Sequence, residues 1–210
     1  MPARTQEVVV TPGKSALLVT GVENDFVSPK GKLYPGPATR TRVANMKRLL
    51  ARARQARMKI FFIHSVRSAD SPEFSVFGLS PYPVEGTWGS EFAGGMGPVF
   101  DEEVVEVRTF DCFVKTNIEH LFRKYDVQPL GDHVIVMGGM ANVSIYHAAS
   151  GLSQRHFNVI VPRDCVIGSR AGEERIMRQL SESPLSYNTM ITISRNIRIR
   201  ESLGLIVKSY

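Results

Sequence analysis

Cysteine is scarce in this 210-residue chain: Cys112 and Cys165 are the only two, too few for a disulfide framework. No charged-then-apolar leader opens the sequence, and no apolar run approaches the ~20 residues a membrane helix needs. A cytoplasmic protein that makes no use of a membrane is therefore expected. Phosphate-binding signatures are missing as well. The glycines of "FAGGMGP" are followed by no Lys-Ser/Thr pair, and no G-x-G-x-x-G lies behind a strand. Metal-ligand spacing is equally thin, because "IFFIHSVRSADSPEF" offers His64 and Asp70 without a second histidine. No cofactor and no metal are expected, and His64 reads as a hydrogen-bonding residue at a strand end. Nor is there a tail of one charge sign. The formal charge of +6 comes from cations spread along stretches such as "RTRVANMKRLLARARQARMK", the pattern of a solvated helix face rather than of a nucleic-acid site.

What is present is a regular alternation. Short apolar runs rich in Val and Ile, "SALLVTGV", "KIFFIHSV", "HVIVMGG", "NVIVP" and "MITIS", read as buried strands. Between them lie helical patterns. Val43, Met46, Leu49, Leu50 and Ala53 recur at helical spacing within Arg42 to Arg57, and Ile118, Leu121 and Phe122 do so in "TNIEHLFRKY". "NVSIYHAASGLSQRHF" continues the series. Alternation of this kind predicts an α/β fold, three-layered and Rossmann-like, with a parallel sheet covered by helices on both faces. With 43% hydrophobic residues, no repeat and no linker-like tract, residues 1–210 are expected to form one domain. The long irregular stretch from Arg67 to Gly97, which carries the lone Trp88, is too long for an idle connection and is expected to border a pocket.

Four segments resemble one known family, the isochorismatase-like cysteine hydrolases, which include nicotinamidases and related amidases. "ALLVTGVENDF" resembles the family's first strand, "GTWGSEF" its mid-chain turn, and "RTFDCFVKTNIEHLFRK" the entry to its central helix. "VIVMGGMANVSIYHAASGLSQRHFNVIVPRDCV" resembles its nucleophile segment. The resemblance implies a six-stranded, mainly parallel sheet and assembly as a homodimer or homotetramer. It also implies an active site in which an Asp acts as base, a Lys supports it, and a Cys at a helix N-terminus attacks a carbonyl carbon held near a cis peptide. The isochorismatases proper dispense with the Cys and protonate a vinyl ether from the Asp.

Carried over position by position, the resemblance finds Gly21 where the Asp should be, Val107 (or, one residue on, Arg108) where the Lys should be, and Ser144 where the Cys should be. Candidate replacements are few. Glu23 lies two residues beyond Gly21 and shares its strand face; buried among apolar groups it would hold a proton near neutrality. His147, three residues after Ser144, is a possible base for a serine nucleophile, and Arg108 a possible cation. Asp25 reads as a structural turn residue. The glycines and Asn142 of "GGMANVSIY" precede a helix whose free N–H groups favour an anionic or carbonyl oxygen, so Gly139, Met140, Asn142 and the aromatic Trp88 are candidate ligand-binding residues. Arg108 and Lys115 would add positive charge there, which makes a small carboxylate or amide the expected ligand. The leading reading is an impaired family member that keeps a small-molecule pocket. The alternatives are an active hydrolase rebuilt on Glu23, Arg108, Ser144 and His147, and a non-catalytic partner of an active paralogue.

Overall fold

The computed structural model describes residues 7–78 and 83–200. A three-residue strand β1 (Val8–Val10) leads into β2 (Ser15–Thr20), followed by a one-turn helix α1 (Asn24–Val27) and the long α2 (Ala38–Gln55). β3 (Lys59–Ser65) comes next, then the short α3 (Pro72–Ser75), β4 (Glu103–Val107) and α4 (Ile118–Lys124). β5 (His133–Gly139) runs into a π-helical turn (Ala141–Ile145) that continues directly as α5 (Tyr146–Gln154). β6 (Asn158–Pro162), β7 (Val166–Ile167), α6 (Arg170–Glu182), β8 (Thr189–Thr192) and β9 (Ile197–Ile199) complete the series.

The sheet runs β4-β3-β2-β5-β6-β8, with β7 pairing off this path onto β5; β1 and β9 form a separate two-stranded ribbon. Every pairing is parallel. The strands are short and apolar because both faces are covered, and alternate side chains divide between two cores. Leu18, Phe61, Ile63, Val134 and Val136 pack on one side with residues of α4, α5 and α6. Leu17, Val19, Phe62, Ile135 and Met137 pack on the other against the Met46, Leu49, Leu50 and Ala53 stripe of α2. Each such large apolar side chain contributes about 1.5–3 kcal/mol when fully buried. Among the described residues, no helix is long and apolar enough to cross a membrane.

The six-strand path and the five apolar runs agree with the expectation. β4 has only alternate burial, and so does not stand out as an apolar run. β1, β7 and β9 are two or three residues long, too short to show a period. In this strand order the chain winds outward from β2 to β4 and then returns to β5 to wind the other way. The reversal leaves a crevice between the carboxyl ends of β2 and β5, where ligands of such sheets bind.

Candidate functional site

Backbone, not side chain, occupies the β2 side of that crevice. Gly21 follows the last residue of β2 with φ +57°, and a Cβ built on it would stand 1.9 Å from the carbonyl oxygen of Gly139. The next contact is as tight: a Cβ on Gly138, at φ +124°, would lie 1.7 Å from Thr20 O. A left-handed φ is open to glycine at little cost, and it is this freedom that lets the two strand ends close on each other. The peptide between Gly139 and Met140 is cis. Gly21 is thus without a side chain and, in this conformation, without room for one.

Beyond the seam lies a cavity of about 240 Å³. Its polar walls are Ser65, Arg67, Asn142 and Ser144. Phe26, Leu33, Phe110 and Met140 supply apolar surface. Ser144 sits in the π-helical turn that joins β5 to α5, and its hydroxyl makes no hydrogen bond among the described residues. His147 is exposed on α5 with its ring against Tyr146, and it is not hydrogen-bonded to Ser144.

The cation of the cavity is Arg67, which the sequence reading passed over. It follows β3 by two residues, and its side chain is only 6% exposed. Nη1 donates to Val66 O at 3.1 Å and to Val107 O at 3.3 Å, while Nε lies 3.4 Å from Glu73 Oε1. Nη2 makes no hydrogen bond among the described residues. The guanidinium carbon stands 5.1 Å from the centroid of the Phe110 ring. Burial lowers the pKa of this group and Glu73 opposes the fall; a guanidinium stays charged under both influences. The available signal was the Arg directly after "IFFIHSV", at the carboxyl end of a strand beside the switch point.

Arg108, the expected cation, is elsewhere. It is 49% exposed and pairs with Glu85 at 2.6 Å, away from the cavity lining. Lys115 is exposed too. Val107 turns its side chain into the core with Ala141 and Ile145, and only its carbonyl reaches the site, as an acceptor for Arg67. Trp88 is 47% exposed and not part of the cavity wall; its carbonyl accepts from Asn24 Nδ2 at 2.9 Å, which pins the irregular segment over the end of β2. The expectation that this segment borders a pocket holds through Arg67 and Pro83.

Glu23 is 0% exposed. Oε1 accepts the Ser65 N–H at 2.8 Å, and Oε2 is buried with no partner. Burial pushes its pKa up to about 8 against the N–H groups of Ser65, Glu23 and Val22, which lower it, and the charge of Asp25 adds to the rise. At neutral pH this carboxyl is mostly protonated, one residue shell behind the Ser65 wall. Asp25 behaves as a turn residue, with Oδ1 accepting the Lys32 N–H at 3.2 Å. His64 Nε2 bonds Ser90 O at 2.7 Å, as expected of a strand-end residue, and Asp70 is capped by the Ser68 hydroxyl. Among the described residues no group of three or more potential metal ligands gathers. Both thiols are buried, and burial pushes each up to about 12, so neither is poised as a nucleophile.

Comparison with known proteins agrees with this architecture. Residues 15–190 match the family model described as the isochorismatase domain. A ureidoacrylate amidohydrolase from Serratia proteamaculans is 21% identical over 185 residues, covering 77% of this chain and 73% of its own. A cysteine hydrolase from Pseudomonas syringae pv. phaseolicola superposes with a TM-score of 0.77 at 18% identity, covering 93% of this chain and 95% of its own. The N-carbamoylsarcosine amidase from Thermoplasma acidophilum gives a TM-score of 0.73 at 21% identity, with coverage of 86% and 96%. At these identities the structural matches establish the fold alone.

Proposed function

The chain belongs to the isochorismatase domain family, and from that premise we propose that it is a catalytically impaired member which retains a pocket for a small carboxylate or amide. The observation that carries this reading is Gly21, whose left-handed backbone and 1.9 Å clearance to Gly139 O leave no place for a base. A serine hydroxyl needs such a base within hydrogen-bond reach to become a nucleophile, and Ser144 is hydrogen-bonded to none among the described residues. Loss of one member of a nucleophile–base constellation already removes roughly 10⁴–10⁶ in rate. Purified protein is therefore expected to show no turnover of nicotinamide, N-carbamoyl amino acids or ureidoacrylate above a buffer control. Turnover that disappears in Ser144→Ala would overturn the reading.

A second reading has one observation in its favour. The Glu23 carboxyl, pushed up to about 8, is a proton donor at neutral pH, as an acid-catalysed hydrolysis rebuilt without a nucleophile requires. Turnover abolished by Glu23→Gln but indifferent to Ser144→Ala would select it. We place the protein in the cytoplasm as a single-domain homodimer or homotetramer. Exposed Phe77 and Phe100 are the kind of apolar surface that subunit contacts cover. Light scattering at micromolar concentration should return at least twice the chain mass.

A further inference from the structure

We propose that the cavity is selective for a small planar carboxylate over the matching carboxamide, and that Arg67 is the residue that makes the selection. The proposal deepens the pocket reading above and rests on it. Its basis is the way the guanidinium is held. Nη1 is fixed on the carbonyls of Val66 and Val107, and Nε faces Glu73. Nη2 is left without a hydrogen bond among the described residues, on a side chain that forms part of the cavity wall. A planar fork held on two edges is pre-organised, so an incoming oxygen finds its donor in place.

The charges around it leave that donor effective. The remaining polar wall residues, Ser65, Asn142 and Ser144, are neutral. Glu73 sits at the Nε edge of Arg67, with its own side chain 30% exposed to solvent. Glu23, behind Ser65, offers no full negative charge at neutral pH. An anion entering the cavity therefore meets a buried guanidinium whose one carboxylate partner among the described residues, Glu73, lies at its Nε edge. An amide of the same shape gains only a neutral hydrogen bond there, roughly half as strong as a charge-assisted one. The Asn142 amide and the Ser144 hydroxyl can each donate to the second carboxylate oxygen. Size narrows the ligand further. About 240 Å³ falls below the ~300–1,000 Å³ usual for drug-sized ligands, which suits one ring or a short unsaturated acid lying against Phe110, Phe26 and Leu33. A site that must release a carboxylate product gains nothing from such an anchor. A site that has given up its nucleophile is free to hold one.

The test uses two matched pairs, nicotinate with nicotinamide and benzoate with benzamide, titrated calorimetrically into the full chain at pH 7 and low salt. The acid of each pair is expected to bind at least about tenfold more tightly than its amide. The ratio should fall to about one in Arg67→Gln and be partly kept in Arg67→Lys. Because Arg67 also ties β3 to β4, a cavity-filling variant, Ser144→Phe, provides an arm that leaves those bonds intact and should abolish binding of both acids. Equal affinities within the pairs, no acid binding at millimolar concentration, or acid binding that survives Ser144→Phe would each overturn the proposal. So would a preference for the acid unchanged in Arg67→Gln. The impaired-enzyme reading fails on a different readout, Ser144-dependent turnover, so the two failures are told apart.

Discussion

The two sides of the crevice are built in opposite ways. On the β2–β5 side backbone fills the space: a Cβ on Gly21 would meet the carbonyl of Gly139, and one on Gly138 the carbonyl of Thr20. On the β3–β4 side a side chain brings a charge to the cavity. Val107 faces the core, and Arg67, from the neighbouring strand, holds Val107 by its carbonyl and brings a guanidinium to the same cavity. The difference teaches that a site's chemistry and its binding surface are set by separate elements. The seam leaves Gly21 no room for a side chain, whereas the opposite wall carries the guanidinium on which the proposed anion site rests. The sharpest way to break this comparison is to restore the missing side chain. Gly21→Asp combines a left-handed φ on a residue with a Cβ and a 1.9 Å overlap with backbone, and is expected to cost about 2–6 kcal/mol of stability. Gly13→Ala, where a Cβ meets nothing within 4 Å, should change stability by less than about 1 kcal/mol. Denaturant midpoints of the two variants decide it. A Gly21→Asp protein as stable as the parent would show that the seam opens readily and that the acid could have been kept.

Glu23 lies between the two sides, and its protonation gives the second test. Its folded-state pKa of about 8 stands above the ordinary 4.5, so below 4.5 the carboxyl is neutral in both states and carries no penalty. As pH rises from 4.5 to about 8 the unfolded chain ionises while the folded one resists, and stability falls by ~1.4 kcal/mol per pH unit. Above about 8 the folded state ionises as well and the loss levels off. Glu23→Gln removes this slope. The variant should match the parent near pH 5 and exceed it by ~3 kcal/mol near pH 7. Parallel stability curves for the two proteins across pH 5–8 would mean that Glu23 is solvated in solution and that the wall behind Ser65 is open.

Much of the fold could be read from the sequence, and the site only half so, for a physical reason. Strands buried on both faces must be apolar along their length, which is why "HVIVMGG" and "NVIVP" match β5 and β6 residue for residue. The edge strand β4, with Glu103, Val104 and Glu106 at least partly open to solvent, carries no such run. At the site, matched segments locate Gly21 and Ser144 because position along a strand end is a local property. Which cation turns inward is not local. Arg67 and Arg108 each follow a strand, β3 and β4, at the same edge of the sheet, and the choice between them is made by the return of the chain at Pro83 to Glu85. There Pro83 O accepts the Arg67 N–H at 3.1 Å and Glu85 pairs with Arg108 outside. No spacing along the chain encodes that. Glu23 was legible only in part: a raised pKa follows from burial, but its burial is set by the turn into α1, where it is the N-cap residue, rather than by the strand.

The smallest effect is expected where the sequence placed the charge. The Arg108 and Glu85 side chains are 49% and 52% exposed, and an exposed pair of this kind gains little in water and is screened by salt. Arg108→Ala should leave the melting temperature within about two degrees of the parent and carboxylate affinity within about twofold. In Arg67→Gln, by contrast, the preference for acid over amide should vanish. Two Arg substitutions on adjacent strands then give opposite outcomes, and calorimetry on both, with nicotinate as ligand, makes the comparison within one experiment. If Arg108→Ala weakened nicotinate as much as Arg67→Gln did, the positive potential of the whole strand edge, rather than one pre-organised guanidinium, would be what draws the anion. Raising the salt concentration separates the two cases: a diffuse potential fades within a Debye length of about 8 Å at 0.15 M, while a buried contact through Nη2 is screened far less. Affinity that falls steeply with salt in the parent, and equally in Arg108→Ala, would move the anion site out of the cavity and onto the surface.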